Sequence, residues 1–177
     1  MNTFDAIYSR KSVRSYTGEA IDDTTLKEII KAGVAAPVGM GRYGDMHLTV
    51  IKDKDLLKKI SQAAATMMGK PDMDPLYGAP TLVLVSSKKP APAMANAVQS
   101  SAACIVENMS LAAVDLGVGT VHIWGAVAAL VRNEELVASL DLPADFTPLC
   151  GIALGKTDIK YTVKDVDMSR IATDYIG

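Results

Sequence analysis

The chain has 177 residues, 49% of them hydrophobic and 21% charged, and a formal net charge of −2. This is a globular composition with enough residues for a buried core, which excludes a disordered chain. It also excludes a dedicated nucleic-acid binder, which would carry a basic face.

In chain order, Phe4, Ala6, Ile7 and Tyr8 predict a short first helix. It runs into Arg10, Lys11, Ser12, Val13, Arg14, Ser15 and Tyr16, where three fixed cations and a hydroxyl fall within five positions. A guanidinium presents a planar fork of donors that matches phosphate oxygens, and serine adds a short neutral donor. The competing reading is a solvated basic turn, the usual fate of charge runs. Asp22 to Thr25 carry the capping signal of a second helix, followed by Leu26, Ile29, Ile30 and Gly33 at helical spacing. Pro37 ends it by biasing Ala36 out of the helical region. A glycine-rich loop, Gly39 to Gly44, precedes a strand in which Met46, Leu48 and Val50 alternate with His47 and Thr49.

Leu56, Leu57, Ile60, Ala63 and Ala64 predict a third helix, and Gly69, Pro71, Pro75, Gly78 and Pro80 an irregular loop. Thr81 to Val85 reads as a central strand. A long Ala-rich helix over about Ala93 to Leu116 follows, capped by Gly117. Its apolar stretch is interrupted by Asn96, Gln99, Glu107, Asn108 and Asp115, so it predicts a buried helix and no membrane span. Thr120 to Ile123 and Leu149 to Leu154 read as strands, separated by a helix over Asn133 to Leu140 with Asn133 at its N-cap. The tail from 156 to 177 is polar until Ile171, Tyr175 and Ile176. The order predicts an α/β or α+β layer in a single domain over residues 1–177.

Catalytic motifs of the common kinds are missing. Gly117-Val118-Gly119 follows a helix and precedes a strand, the reverse of a dinucleotide-binding turn. His47 and His122 read as half-exposed strand residues, Asp22-Asp23 and Glu134-Glu135 as helix-start acids, and the nine methionines as mostly core filler. Cys104 and Cys150 have no CxxC spacing, and Met1 to Lys11 has no long apolar run of a secretory leader, so a reducing cytoplasm is expected. Such an inventory belongs to a cofactor enzyme or a binding protein.

Taken together, Phe4 to Tyr16, Leu26 to Pro37, the Glu107-Asn108-Met109-Ser110-Leu111-Ala112-Ala113 segment, Leu116 to Thr120, and Gly151-Ile152-Ala153-Leu154-Gly155 resemble the nitroreductase family of FMN-dependent flavoproteins. That resemblance implies the α+β nitroreductase fold, with a mixed central sheet flanked by helices. It implies a homodimer with FMN at the interface and the C-terminal tail reaching over the partner. NADH or NADPH would be the reductant and a nitroaromatic, quinone or enone the acceptor.

Arg10, Lys11, Ser12 and Arg14 match the family turn that holds the FMN phosphate, ribityl chain and pyrimidine edge. His122, Ile123, Trp124 and Gly125 match the segment along the isoalloxazine. Lys160 stands as a second phosphate contact, and Pro37, Val38 and Gly39 as backbone contacts to the partner's flavin. One departure is evident. Where the family commonly has Pro-Ser-x-x-Asn-x-Gln-Pro, this chain has Val38 for the Ser, Gly41 for the Asn and Tyr43 for the Gln. Met40, Gly41 and Tyr43 are therefore expected to shape the acceptor pocket. A flavin-binding or storage protein without turnover is the alternative.

Overall fold

Strand β2 (Thr81–Lys88) is buried at every position from Thr81 to Ser87, and its side chains alternate between two cores. The computed structural model, which describes residues 1–177, covers both faces of the sheet with helices. Leu82 and Leu84 pack with Leu57 and Ile60 of α3 (Lys54–Met67) and with Val127 and Leu130 of α5 (Gly125–Val131). Val83 and Val85 pack on the opposite face with Ile29 of α2 (Asp23–Val34) and with Ile105, Val106 and Met109 of α4 (Ala95–Asp115). Burial on both faces explains why β2 reads as a continuous apolar run without alternation.

The sheet order is β1-β2-β4-β3, with β1 (Met46–Ile51), β3 (Gly119–Ile123) and β4 (Phe146–Gly155). All three pairings are antiparallel, with Ile51 opposite Leu82, Val83 opposite Ile152, and Ile123 opposite Gly151. The expected mixed sheet is thus corrected to a purely antiparallel one. The reason lies in the connections. Helix α3 leads the chain away and the irregular 69–80 segment returns it, so β2 begins beside the end of β1. Helices α5 and α6 (Glu134–Ala138) do the same between β3 and β4.

Local signals are honoured where polar atoms meet free helix ends. Asp22 accepts from the Thr25 amide at 2.9 Å, and Asn133 from the Leu136 amide at 3.1 Å. Helix α1 (Thr3–Ser9) starts at Asn2, which accepts from Asp5, but it buries only Ala6 and Ser9. Two other expectations fail. Helix α5 was not foreseen, because Gly125 to Val131 has no polar face to reveal a period. The methionines are mostly not core: Met109 alone is buried, while Met1, Met40, Met67, Met68, Met73 and Met168 are exposed.

Candidate functional site

Strand β3 is an edge of the sheet, and the basic turn is built on its free side. The Val13 amide donates to the Thr120 carbonyl at 2.8 Å, and the Val13 side chain is fully buried. The Tyr16 hydroxyl lies within hydrogen-bond reach of the Val13 carbonyl (3.1 Å) and the Ala153 carbonyl (3.3 Å), tying the turn to β4. Burial pushes the Tyr16 phenol above its ordinary range, so it stays a donor. From the C-terminal side, Thr157 Oγ1 donates to the Ser15 carbonyl at 2.9 Å, and Lys164 Nζ to the Arg10 carbonyl at 3.2 Å.

The cations themselves are held in particular places. Lys11 Nζ donates to the Lys160 carbonyl at 2.7 Å and lies 5.8 Å from the Tyr161 ring centroid. Tyr161 in turn donates to the Val118 carbonyl at 2.8 Å, and burial pushes its phenol up to about 12. The Arg14 guanidinium sits 5.8 Å from the ring centroid of Tyr77. Tyr77 is a non-glycine residue in the left-handed region, with φ +59°. Asp74 braces that bend: it accepts from the Leu76 amide at 2.9 Å, the Gly78 amide at 2.5 Å and the Ser61 hydroxyl at 2.5 Å.

Behind the turn, Glu107 of α4 lies between two positive or protonatable groups. Its Oε1 is 3.3 Å from Arg10 Nε, and its Oε2 is 3.2 Å from His122 Nε2. The His122 contact is close but out of line, so Nε2 is buried without a directed hydrogen-bond partner. One turn along α4, Ser110 Oγ meets Thr120 Oγ1 at 3.3 Å. Thr120 and His122 therefore form the α4-facing side of β3, while Val121 and Ile123 enter the α3/α5 core.

The structure brings together Arg10, Lys11, Ser12, Arg14, His122 and the backbone at Lys160. Ser12 and Arg14 are exposed, and Arg10, Lys11 and His122 are half-buried. Ile123 is buried in the far core, so only its backbone faces this side. Trp124 is 51% exposed beyond the end of β3, and Gly125 opens α5, where a side chain would collide with Met68. The 37–43 segment lies elsewhere, on the N-terminal part of α4. The Gly39 amide donates to Ser101 Oγ at 3.0 Å, and Val38 and Gly39 line a cavity of about 180 Å³ with Met94, Ala97 and Lys89. Within one subunit the expected pocket residues Met40, Gly41 and Tyr43 are not joined to the basic turn. Met40 (φ +57°) and Gly41 (φ +66°) are both left-handed, and Met40 is 76% exposed.

Sequence reasoning gave no role to Glu107, Tyr77 or Tyr161. A signal existed for the first: Glu107 is the one charged residue of α4 before Asp115.

Residues 7–156 match the family model described as the Nitroreductase family. The chain belongs to this family. A relative from Archaeoglobus fulgidus, provisionally named NADH dehydrogenase/NAD(P)H nitroreductase, is 32% identical over 84% of this chain and 82% of its own. A Bacillus subtilis protein named FMN reductase (NAD(P)H) is 30% identical over 85% of this chain, which spans 64% of that longer protein. Among solved structures, a nitroreductase with bound FMN from Bacteroides fragilis superposes with a TM-score of 0.81 at 26% identity. The superposition covers 99% of this chain and all of that one. In this chain the basic turn lies at the free edge of β3, and Trp124 follows that strand directly.

Proposed function

We propose that residues 1–177 form one FMN-binding domain that works as a homodimer, passing electrons from NADH or NADPH to a small organic acceptor. The acceptor class we favour is a nitroaromatic, quinone or enone. The observation that carries this reading is the basic turn, whose Val13 amide donates to the Thr120 carbonyl of β3 and whose Arg10 and Ser15 carbonyls accept from Lys164 and Thr157, while Ser12 and Arg14 stay exposed. Two relatives carry reductase names and a structural neighbour holds FMN, which points the same way.

The residues present fit this cofactor. Arg10, Lys11, Ser12 and Arg14 supply charge-assisted and neutral donors for a phosphate and ribityl chain, with Lys160 beside them. Thr120 turns its carbonyl outward to Val13, so the same strand parity turns the His122 amide to the free edge, available to a heterocycle. Trp124 offers an exposed aromatic face next to it. Bound FMN supplies the redox centre, accepting a hydride and passing electrons on. Lys11 and Arg14 favour the negative charge that reduction places at the pyrimidine edge. The chain needs no acid or base side chain for hydride transfer itself.

The dimer reading rests on apolar residues that one subunit leaves uncovered. Phe4 is 66% and Ile7 44% exposed on α1, and Ile171, Tyr175 and Ile176 are exposed in the tail. In the dimer we place the tail over the partner and Pro37, Val38 and Gly39 against the partner's FMN, where Met40, Gly41 and Tyr43 shape the acceptor pocket. No helix is long and apolar enough to cross a membrane. Cys104 and Cys150 are free thiols, which suits the cytoplasmic location we assign.

The test is stopped-flow mixing of the flavin-loaded protein with NADH and with NADPH. Rapid bleaching of the flavin absorbance supports the enzyme. A bound flavin that neither nucleotide bleaches supports the storage protein, and a protein that takes up no flavin removes both.

A further inference from the structure

Glu107 stands where an anion-binding cluster has least use for a carboxylate. It lies 3.3 Å from Arg10 Nε, at the back of a turn whose other side chains are Lys11, Ser12 and Arg14. Its second oxygen is 3.2 Å from His122 Nε2, a buried nitrogen with no directed partner of its own. None of the three groups is fully withdrawn from water: the side-chain exposures are 32% for Arg10, 42% for Glu107 and 30% for His122. A charge on one is therefore felt by the others and is only partly screened.

We infer that Glu107 and His122 form a counter-charge pair that positions Arg10 and sets how tightly the basic turn holds a phosphate. The inference deepens the flavin reading and rests on it for the identity of the phosphate ligand. When His122 is neutral, the Glu107 carboxylate draws on Arg10 and repels an incoming phosphate. When His122 is protonated, Glu107 is balanced from its other side and the turn presents its full positive charge. Relative to a chain without the carboxylate, phosphate affinity therefore rises as acid protonates His122.

The remaining charged groups near the pair do not cancel this. Lys11 and Lys164 donate to the neutral Lys160 and Arg10 carbonyls and keep their charge, a positive background common to every variant compared, and Tyr161 is a neutral phenol with its pKa pushed up to about 12. From α4, Ser110 meets Thr120 and carries no charge. From β4, the residue opposite His122 is Ile152.

Calorimetric titration of the cofactor-free full chain tests the inference, with FMN and with riboflavin, between about pH 5 and 8. Glu107→Gln is expected to tighten FMN roughly two- to fivefold near pH 8, the range for partly exposed charge pairs, and to leave riboflavin unchanged. The gain shrinks as acid protonates His122 and so offsets the carboxylate. His122→Asn is expected to remove the extra pH dependence of the wild type relative to Glu107→Gln. Equal FMN affinity in wild type and Glu107→Gln, or weaker binding in the variant, overturns the inference. Inorganic phosphate, followed at the NMR signal of the Arg10 Nε–H, separates this from a failure of the flavin reading. If FMN does not bind at all, Glu107→Gln still tightens phosphate when the pair acts as stated, and does not when it does not.

Discussion

Arg14 lies over the ring of Tyr77, its guanidinium carbon 5.8 Å from the ring centroid. The ring reaches that place because Tyr77 accepts a left-handed backbone, φ +59°, in a bend that Asp74 braces through two amides and a hydroxyl. A loop with no regular structure thus holds one cation of the basic turn. A double-mutant cycle on Arg14→Ala and Tyr77→Ala is expected to give a coupling of about 0.5–1 kcal/mol in urea denaturation, the range for an exposed cation–π pair. Tyr77→Phe keeps the ring and should retain the coupling. Additive single variants would mean that the two side chains only share a neighbourhood.

Removing a phosphate contact has a larger effect on binding than on folding. Arg10→Ala and Arg14→Ala are each expected to weaken FMN by about 1.5–3 kcal/mol, roughly ten- to a hundredfold. The urea midpoint of Arg10→Ala should stay close to that of the wild type, because the turn is pinned by backbone groups that it does not remove, and Arg14→Ala should lose no more than its coupling to Tyr77. Full flavin occupancy of both variants after dialysis would make the turn an ordinary solvated surface.

Two glycines test close packing against helix propensity. A Cβ on Gly155 would meet Pro80 Cδ at 2.6 Å and Tyr16 Cδ1 at 2.9 Å, both on stiff rings. Gly155→Ala should cost about 1–3 kcal/mol and loosen the turn through Tyr16. A Cβ on Gly33 would meet Met109 Cγ at 2.7 Å, part-way along a fully buried side chain. Alanine in the α2 interior gains up to about 1 kcal/mol of helix propensity against that clash, so Gly33→Ala should cost less than Gly155→Ala. Thermal melts of the two variants give the contrast directly.

Gly41 has φ +66°, a conformation that asparagine tolerates better than any branched residue. Gly41→Asn restores the common family residue and should fold as the wild type does, whereas Gly41→Val should be destabilised by about 1–2 kcal/mol. With the loop at the acceptor pocket, Gly41→Asn should shift the ratio of kcat/KM for a quinone over a nitroaromatic more than it shifts FMN affinity. An unchanged ratio would take the loop away from the acceptor.

Acid should weaken the fold in part through a few identifiable, exposed carboxylates. Lys156 holds Glu19 below its usual range, the Thr25 amide does the same for Asp22, and Lys52 for Asp23. A carboxyl lowered in the folded state stabilises above its unfolded pKa, and the contribution is lost as pH falls through the folded value. The melting temperature should therefore drop below about pH 4. Asp22→Asn keeps a good N-cap acceptor without the titration, so it should melt like the wild type at pH 7 and fall less steeply in acid.

Much of this was legible in the sequence, and the exceptions share causes. Asp22 and Asn133 cap the helices their positions announce, and the apolar run of Thr81 to Val85 is the central strand. Helix α5 stayed hidden because α3 and the sheet bury it from several sides, leaving no polar face. The strand directions were misjudged because nothing in Thr120 to Ile123 or Leu149 to Leu154 encodes which end of the sheet the chain returns to. At the site, the clustering of Arg10, Lys11, Ser12 and Arg14 marks the turn. Its supports do not show, because carbonyls of Thr120, Ala153, Lys160 and Val118 receive the anchoring bonds, and every residue type carries a carbonyl.

The positions of those supports along the chain set the moment at which the site can exist. The turn at residues 10–16 leaves the ribosome early, yet it is fastened by Thr120, Ala153, Thr157, Lys160 and Lys164. At about 5–20 residues per second, the last of them is made roughly 8–30 s after the first basic residue. Through that interval the segment waits as an unanchored cationic stretch, and its last fastening forms only once Lys164 has been made. Capture of an anionic ligand therefore awaits residues more than a hundred positions downstream of the turn, and products truncated before Thr120 should hold it weakly.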